Sequence, residues 1–406
     1  MSTLEPAAST RPVRVSTKGL LVAGLRVSYV IAAVLTVVWA YLLVDFGIQA
    51  AVIGFDFRGT LWDPAVAVLE GRSPYPEPVR AEVDVGNPAL YPPLLILFVA
   101  PLTVLPWSIG AALWGVLLIG GVAGALYALD VRDPRCYLFA LLSPLVGHGV
   151  VLGNATLLLV PLVALAWRWR AHWARVGILV GLAIAAKLFL WPLLFWLLGT
   201  RRYRAFGAAL VAACAGLFVP WAAIGFDGLS SYPELLRMAE AVYAAHSFSI
   251  TTGLSGLGIG TESAILIGLA LGVALAMSAL YAGRRTADSA ALSLALLAAV
   301  LASPIVWAFY YALLLIPVAL ARPRFSGLWA ALTLFFVVER LPRERLSASN
   351  LVPGEVPEDV PITVWVFNHS SPATWPALGY AALGAALVAA SVWLMLRSRS
   401  RPELAP

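Results

Sequence analysis

Long runs of hydrophobic residues alternate along the chain with short polar stretches. Many runs approach the ~20 residues that an α-helix needs to cross a bilayer. Placing the arginine clusters between the runs on the cytoplasmic side predicts about twelve crossings with both chain ends inside. The predicted spans are 20–43, 107–129, 136–151, 154–168, 175–187, 188–199, 205–224, 262–282, 286–303, 306–321, 325–341 and 376–396.

Some apolar segments are too short for a simple crossing. The adjoining spans 175–187 and 188–199 predict a hairpin whose tip lies inside the protein. The segment Pro92–Pro106 is flanked by prolines and predicts a half-membrane or interfacial helix that leads into span 107–129.

Most of the remaining polar sequence is expected outside the cell. Amphipathic helices are predicted at Trp62–Leu69 and at Tyr232–Ala245. The predicted extracytoplasmic loops are 44–91, 225–261 and 342–375, and the predicted cytoplasmic tails are 1–19 and 397–406.

Composition supports an all-α, polytopic integral membrane protein with one helical bundle. The chain of 406 residues is 61% hydrophobic and 12% charged, against roughly 25% charged residues in soluble domains. The net charge of +6 is divided among the short basic loops, so no nucleic-acid partner is expected. There is no Gly-rich phosphate loop, Ser-His-Asp arrangement or Cys/His metal spacing, so neither a cofactor nor a metal is predicted. An energy-rich lipid is the natural substrate for chemistry outside the cell.

Two acids stand out in the first polar loop. Asp56 lies between Phe55 and Phe57, where an apolar surround would raise its pKa and suit it to act as a general base. The alternative is an interfacial acid paired with Arg58. Asp63 competes for the same role, but its position directly before a proline predicts a helix N-cap.

Lys187 lies at the predicted tip of the short hairpin. A lysine at membrane depth costs at least ~2.5 kcal/mol unless it reaches the interface or finds a partner. It therefore predicts either a cation that binds a lipid phosphate or a side chain that extends into the outer headgroups.

Other polar and aromatic residues are weaker candidates for substrate binding. His148 and Asn154 flank a turn between spans, where Asn154 equally suits a helix cap. His246 precedes a Ser/Thr-rich stretch, which suits either sugar binding or an ordinary loop. Trp307 and Tyr310 suit either an interfacial aromatic belt or a platform for a sugar or lipid tail.

Several short elements occur in an order that resembles glycosyltransferase family 87, a group of polyprenol-phosphate-sugar-dependent enzymes with the GT-C fold. The elements span about residues 50 to 310. They are Asp56-Phe57, Gly71, Pro74-Tyr75, Tyr91–Pro93, Leu105-Pro106, Gly153-Asn154, Gly181–Pro192 with Lys187, Arg201–Arg204 and Ser303–Trp307.

The resemblance implies a GT-C transferase in the inner (plasma) membrane with an outward-facing active site. It implies a polyprenyl-phosphate sugar donor, most often of mannose, a glycolipid or glycan acceptor, and membrane lipids as partners. Asp56 would deprotonate the acceptor for inverting attack. Lys187, with Arg58, would bind the donor phosphate, and Tyr91 joins the candidate substrate-binding residues.

The chain departs from the family pattern at two points. Where many members have Asp-His-His, this chain has Ala308, Phe309 and Tyr310, and His246 or His369 would have to replace those histidines. The family's Gly-Gln-x-Asn turn is also altered, beginning here at Gly153. The alternative function is a lipid or glycolipid transporter, although transporters usually carry internal repeats and polar helices near the midplane. A non-catalytic descendant of such an enzyme is a third possibility.

Overall fold

A computed structural model describes residues 17–77, 87–285, 287–342 and 372–399. Within these ranges the chain forms helices and no strand, which confirms the predicted all-α class. In chain order the helices are α1 (Thr17–Gln49), α2 (Phe55–Phe57), α3 (Asp63–Leu69), α4 (Pro93–Val99), α5 (Trp107–Ala128), α6 (Pro134–Leu141), α7 (Pro144–Leu152), α8 (Leu159–Arg168), α9 (Trp173–Ala186), α10 (Leu193–Gly199), α11 (Tyr203–Ala223), α12 (Tyr232–Tyr243), α13 (Ile250–Gly256), α14 (Thr261–Arg284), α15 (Asp288–Ala302), α16 (Leu315–Ala321), α17 (Gly327–Ala330), α18 (Leu334–Glu339) and α19 (Thr374–Arg399).

Tighter and wider turns extend several of these helices. A π-helical turn, Arg58–Trp62, joins α2 to α3. The 3₁₀ turns are Ala100–Val104, Ala155–Leu158, Leu188–Leu190, Ala244–His246, Ala308–Leu314 and Ala331–Thr333.

The predicted twelve crossings are not confirmed. Among the described residues, five helices are long and apolar enough to cross a membrane, namely α1, α5, α11, α14 and α19. A sixth crossing results if α6 and α7 count as one span, although a bend of 59° separates them. The predicted single span 136–151 is therefore broken, because Ser143 and Pro144 interrupt it. Other predicted spans correspond to apolar helices of 10–17 residues.

Small residues bring α9 and α11 into close contact. A Cβ atom at Gly177 would lie 2.6 Å from the carbonyl oxygen of Ala205, and one at Gly181 would lie 2.5 Å from that of Ala209. Such distances are too short for any larger side chain, so the glycines allow the two backbones to touch. This packing holds the end of α9, and with it Lys187, against the rest of the bundle.

The short segments outside the predicted spans form helices, as predicted. Helix α12 matches the amphipathic segment of the second loop, α3 matches that of the first loop, and α4 with its 3₁₀ extension occupies Pro93–Val104. Most of the third predicted loop, including His369, and most of both predicted tails lie outside the described residues.

Candidate active site

A cavity of about 670 Å³ opens between α1, α2, α7, α12, α18 and the turns that follow α9 and α15. Its lining is largely apolar, with a few polar side chains directed into it. Among these are Asp56, Asn87, Asn154 and Lys187. A mostly apolar cavity with convergent polar groups is the usual form of a small-molecule site.

Local backbone geometry directs Asp56 into this cavity. Gly54 adopts a left-handed conformation (φ 73°) and donates its N–H to the Val151 carbonyl at 2.7 Å, which docks the loop onto α7. The neighbouring Phe57 is buried and stacks on Trp114, with 4.7 Å between ring centroids. The buried ring and the docked glycine together hold the short helix in place, so that Asp56 lines the cavity.

Two amide groups hold the Asp56 carboxylate. Asn87 Nδ2 donates to Oδ1 at 3.0 Å and Asn154 Nδ2 donates to Oδ2 at 2.6 Å. Burial raises the pKa of the Asp56 carboxyl, while the two amide donors and the charge of Lys187 oppose that rise. Each carboxylate oxygen can accept a further bond, so Asp56 can still take a proton from a bound hydroxyl.

The turn after α7 orients Asn154. Gly153 has a left-handed backbone (φ 72°), and a Cβ there would lie 2.7 Å from Cβ of Phe57. Trp114 Nε1 donates to the Gly153 carbonyl at 2.7 Å. Asn154 Oδ1 accepts the Thr156 N–H at 2.9 Å, which confirms the predicted cap and turns the amide nitrogen towards Asp56.

Lys187 lies at the break between α9 and the following 3₁₀ turn. Its Nζ donates to Thr156 Oγ1 at 2.7 Å and to the Tyr310 hydroxyl at 3.0 Å. The ammonium also lies 4.7 Å from the ring centroid of Tyr91 and 4.3 Å from that of Tyr310. All of these partners are neutral, so the positive charge remains available to an anion that enters the cavity.

A chain of hydrogen bonds connects the cation to the acid. Lys187 donates to Thr156, and the Thr156 hydroxyl donates to Asn154 Oδ1 at 2.6 Å. The Tyr91 hydroxyl donates to the same oxygen at 3.0 Å, and Asn154 then donates to Asp56. Every polar member is bonded to the next, so the network fixes the relative positions of the two charges.

The structure brings most of the predicted site residues to one cavity. Seven of them line it, namely Asp56, Tyr91, His148, Asn154, Lys187, Trp307 and Tyr310. The other two, Arg58 and His246, are not among the residues that line it. Arg58 is exposed, lies 3.7 Å from the Asp63 carboxylate and covers the Trp107 ring. His246 is buried in the 3₁₀ turn after α12.

One alternative and one prediction about the first loop were wrong. Asp56 is not paired with Arg58, because Asn87 and Asn154 hold its carboxylate. Asp63 is not an N-cap, because the π-helical turn before it makes the backbone helical through Trp62 and Asp63.

Other polar residues also take part in the site, although they were not among the predicted site residues. Asn87 and Thr156 are a common amide and hydroxyl whose roles depend on long-range contacts with Asp56 and Lys187. Glu339 also lines the cavity. It was detectable as an acid at the end of an apolar run, within the predicted span 325–341. Within the described ranges, no group of three or more His, Cys, Asp or Glu side chains could hold a metal ion.

Comparison with known proteins identifies the family. The family model for glycosyltransferase family 87 matches residues 89–306, which is more than half of the chain. The chain belongs to glycosyltransferase family 87. It is therefore a membrane glycosyltransferase, which confirms the resemblance noted in the sequence.

This family 87 protein is similar to a characterised transferase. It is 29% identical over 286 residues to the polyprenol-phosphate-mannose-dependent alpha-(1-2)-phosphatidylinositol pentamannoside mannosyltransferase of Mycolicibacterium smegmatis, covering 63% of this chain and 68% of that protein. No solved structure matches the chain. The family match includes Tyr91, Asn154 and Lys187 but begins after Asp56, and the hydrogen bond from Asn154 connects Asp56 to the matched region.

Proposed function

We propose that this family 87 transferase moves a mannosyl group from polyprenyl-phosphate mannose to a hydroxyl of a glycolipid or glycan acceptor. The relative from M. smegmatis uses a donor of this kind, according to its name. The proposed face is the extracytoplasmic side of the plasma membrane, because arginine clusters between apolar segments are expected on the cytoplasmic side and none of the described arginines in those clusters is among the residues that line the cavity.

In the proposed step, Asp56 accepts the proton of the acceptor hydroxyl as that oxygen attacks the anomeric carbon. The bond between the anomeric carbon and the phosphate oxygen breaks, and its electron pair leaves with the polyprenyl phosphate. Lys187 stabilises the charge that develops on the departing phosphate. Attack opposite the leaving group inverts the anomeric configuration, and Asp56 then releases its proton to water.

One observation carries the proposal: within the described part of the chain, an acid held by two amides and a cation held by neutral groups line the same cavity. An acid of this kind can act as a base. The cation is available to a phosphate, and its interaction with that phosphate is strong where water is partly excluded. Asn154 and Thr156 keep the two charges apart, so each can act on a different part of the reaction.

The test uses the full-length protein in lipid nanodiscs with polyprenyl-phosphate mannose and a mannoside glycolipid. We expect transfer with inverted anomeric configuration, measured by radiolabel and NMR. Asp56→Asn should lower kcat by about 100- to 10,000-fold, the usual contribution of a general base. Asp63→Asn, a matched change seven residues along the chain, should keep the wild-type rate.

Two results would contradict the proposal. Wild-type activity in Asp56→Asn would remove Asp56 as the base. Movement of the lipid across proteoliposomes without any covalent product would instead favour a transporter.

A further inference from the structure

A second polar cluster lines the same cavity away from Lys187. Glu339, the last residue of α18, accepts hydrogen bonds at Oε1 from His148 Nε2 at 2.8 Å and from the hydroxyl of Tyr380. These three residues come from α7, α18 and α19. Tyr380 is fully buried, and only 12% of the Glu339 side chain is exposed.

The position of Glu339 is unusual for a carboxylate. It ends the apolar sequence Leu334–Glu339, and it lines a cavity that is mostly apolar. An acid in such surroundings is costly, and one that persists commonly serves a function. Both donors bond Oε1, and Oε2 accepts none of the hydrogen bonds found in the described part of the chain. Oε2 can therefore accept a hydrogen bond from a ligand.

Helix α7 connects this cluster rigidly to the proposed base. His148 lies four residues before the end of the helix, or roughly 6 Å along its axis at 1.5 Å per residue. The turn that carries Asn154, the donor to Asp56, follows directly. Asn154 is bonded through Thr156 to Lys187 on its other side. Asp56, the proposed base, is therefore connected on one side to Lys187 and on the other, through α7, to the His148–Glu339 pair.

Aromatic packing fixes the imidazole of His148. Trp39 meets it edge to face, with 5.4 Å between ring centroids and an angle of 73° between the planes. Trp39 is buried and belongs to α1. A ring held by Trp39 on one side and Glu339 on the other has a fixed direction for its hydrogen bonds, as a binding site of defined specificity requires.

The chemistry of the pair favours hydroxyl groups over phosphate. A carboxylate only accepts hydrogen bonds and repels an anion, whereas an imidazole can donate or accept. The hydroxyls of a sugar ring both donate and accept, so neighbouring hydroxyls can satisfy both residues at once. Glu339 would repel a phosphate, and its neighbour Arg340, which also lines the cavity, is exposed and lies over the Phe336 ring. A phosphate would therefore gain more from the half-buried Lys187, where its interaction with the cation is less screened by water.

We propose that Glu339 and His148 form a carbohydrate subsite that binds ring hydroxyls of the acceptor sugar. This inference rests on the proposed function and deepens it, because it assigns the acceptor sugar to one part of the cavity and the donor phosphate to the other. Glu339 and His148 act by positioning the acceptor, and they take no part in the proton transfer.

The experiment measures two-substrate kinetics on the full-length protein in nanodiscs. The donor is polyprenyl-phosphate mannose, and the acceptors are n-octyl mannoside and its series of monodeoxy derivatives. Glu339→Gln should raise the KM for octyl mannoside about 10- to 100-fold, the effect of losing a hydrogen bond to a charged group. The KM for the donor and kcat at saturating acceptor should stay within about twofold. His148→Gln should act in the same direction, and the exposed acid variant Glu262→Gln serves as the matched control.

The deoxy series separates binding from a structural role. One deoxy derivative should be a poorer acceptor than octyl mannoside for the wild type, and that difference should disappear in Glu339→Gln. An equal penalty in both proteins for every derivative would overturn the inference, as would a rise in the donor KM instead of the acceptor KM.

A binding measurement distinguishes this inference from the proposed function. In Asp56→Asn, octyl mannoside should bind with wild-type affinity by calorimetry, and adding Glu339→Gln or His148→Gln should weaken that binding. If neither Glu339→Gln nor His148→Gln weakens the binding of octyl mannoside, the subsite is overturned even when transfer is observed. Absence of wild-type transfer, with mannoside binding that depends on Glu339, overturns the proposed reaction and leaves the subsite supported.

Discussion

Asp56 and Asp288 are both partly buried acids in an apolar chain, but the protein surrounds them differently. Asp288 accepts two hydrogen bonds from Arg202, at 3.0 and 2.8 Å, and one from Trp196 Nε1 at 2.6 Å. Arg170 lies 3.4 Å from it. Asp56 accepts hydrogen bonds from two neutral amides, and Lys187 is connected to it through Thr156 and Asn154.

This difference agrees with a structural role for Asp288 and with the proposed role of Asp56 as a base. The guanidinium groups and the indole surround both oxygens of Asp288, so this carboxylate ties the start of α15 to the residues before α11 and after α8. The amides that hold Asp56 fix its direction without neutralising its charge. An acid that must take a proton needs orientation by neutral donors, whereas an acid that only joins helices is best paired with cations.

After Asp56 itself, the largest effect is expected at Lys187, the cation that is connected to that acid through Thr156 and Asn154. We expect Lys187→Met to lower kcat/KM by about 100- to 1,000-fold, because the departing phosphate loses its fixed positive charge. Steady-state assays with polyprenyl-phosphate mannose would measure the loss. Lys187→Arg, which keeps the charge, should retain more activity than Lys187→Met, and equal activity in the two variants would argue against an electrostatic role.

Removing the Asp288 carboxylate should lower the stability of the protein and leave the rate of transfer nearly unchanged. Asp288→Asn leaves Arg202 without its carboxylate partner, and we expect a loss of about 2–3 kcal/mol in the free energy of unfolding. Thermal unfolding in detergent would show it as a lower Tm. The rate per folded molecule should stay within about twofold. A large fall in kcat with an unchanged Tm would reverse the roles assigned to the two acids.

The amide donors of Asp56 can be tested through pH. Burial raises the pKa of Asp56, and the Asn87 hydrogen bond lowers it. Since only the ionised form acts as a base, activity should rise with pH as Asp56 loses its proton. In Asn87→Ala this acid limb of the kcat/KM profile should move to higher pH. In Asn87→Lys, which gives Asp56 a cation as Asp288 has, the limb should move to lower pH, and a shift in the same direction for both variants would contradict this account.

The smallest effect is expected at Arg58. Its guanidinium is exposed, lies 3.7 Å from Asp63, and is not among the residues that line the cavity. An exposed pair of this kind contributes roughly 0–1 kcal/mol. Arg58→Ala should therefore change kcat/KM by less than about threefold in the same transfer assay. A loss comparable to that of Lys187→Met would restore Arg58 as a ligand of the donor phosphate.

The site residues that could be predicted from the sequence are the polar ones within an apolar neighbourhood. Asp56, Asn154 and Lys187 are polar groups within or beside apolar runs, and the structure brings all three to one cavity. Asn87 and Thr156 could not be predicted in the same way, because their importance comes from partners far along the chain. Arg58 was predicted to bind the donor phosphate with Lys187, but it is not among the residues that line the cavity, because closeness to Asp56 in sequence does not determine the direction of a side chain.

The number of crossings was less predictable for a related reason. Hydropathy measures how apolar a segment is, and it does not distinguish a segment surrounded by lipid from one buried in protein. Helix α15 is almost wholly buried, so its apolar sequence serves the interior of the bundle. Within the predicted span 136–151, α6 ends at Leu141 and a new helix begins at Pro144, so one apolar run contains two short helices. Short helices inside the protein therefore produced the same pattern as full crossings.

The break at Lys187 also has a consequence for biosynthesis. Helix α9 has 14 residues, which extend about 21 Å at 1.5 Å per residue, against a hydrocarbon core of about 30 Å. Such a segment is a poor independent signal for the insertion machinery, and the lysine that follows it makes it poorer still. Gly177 and Gly181, however, allow α9 to pack directly against the backbone of α11. We therefore expect the segment that carries Lys187 to enter the membrane late, when α11 has been synthesised and can pack against it.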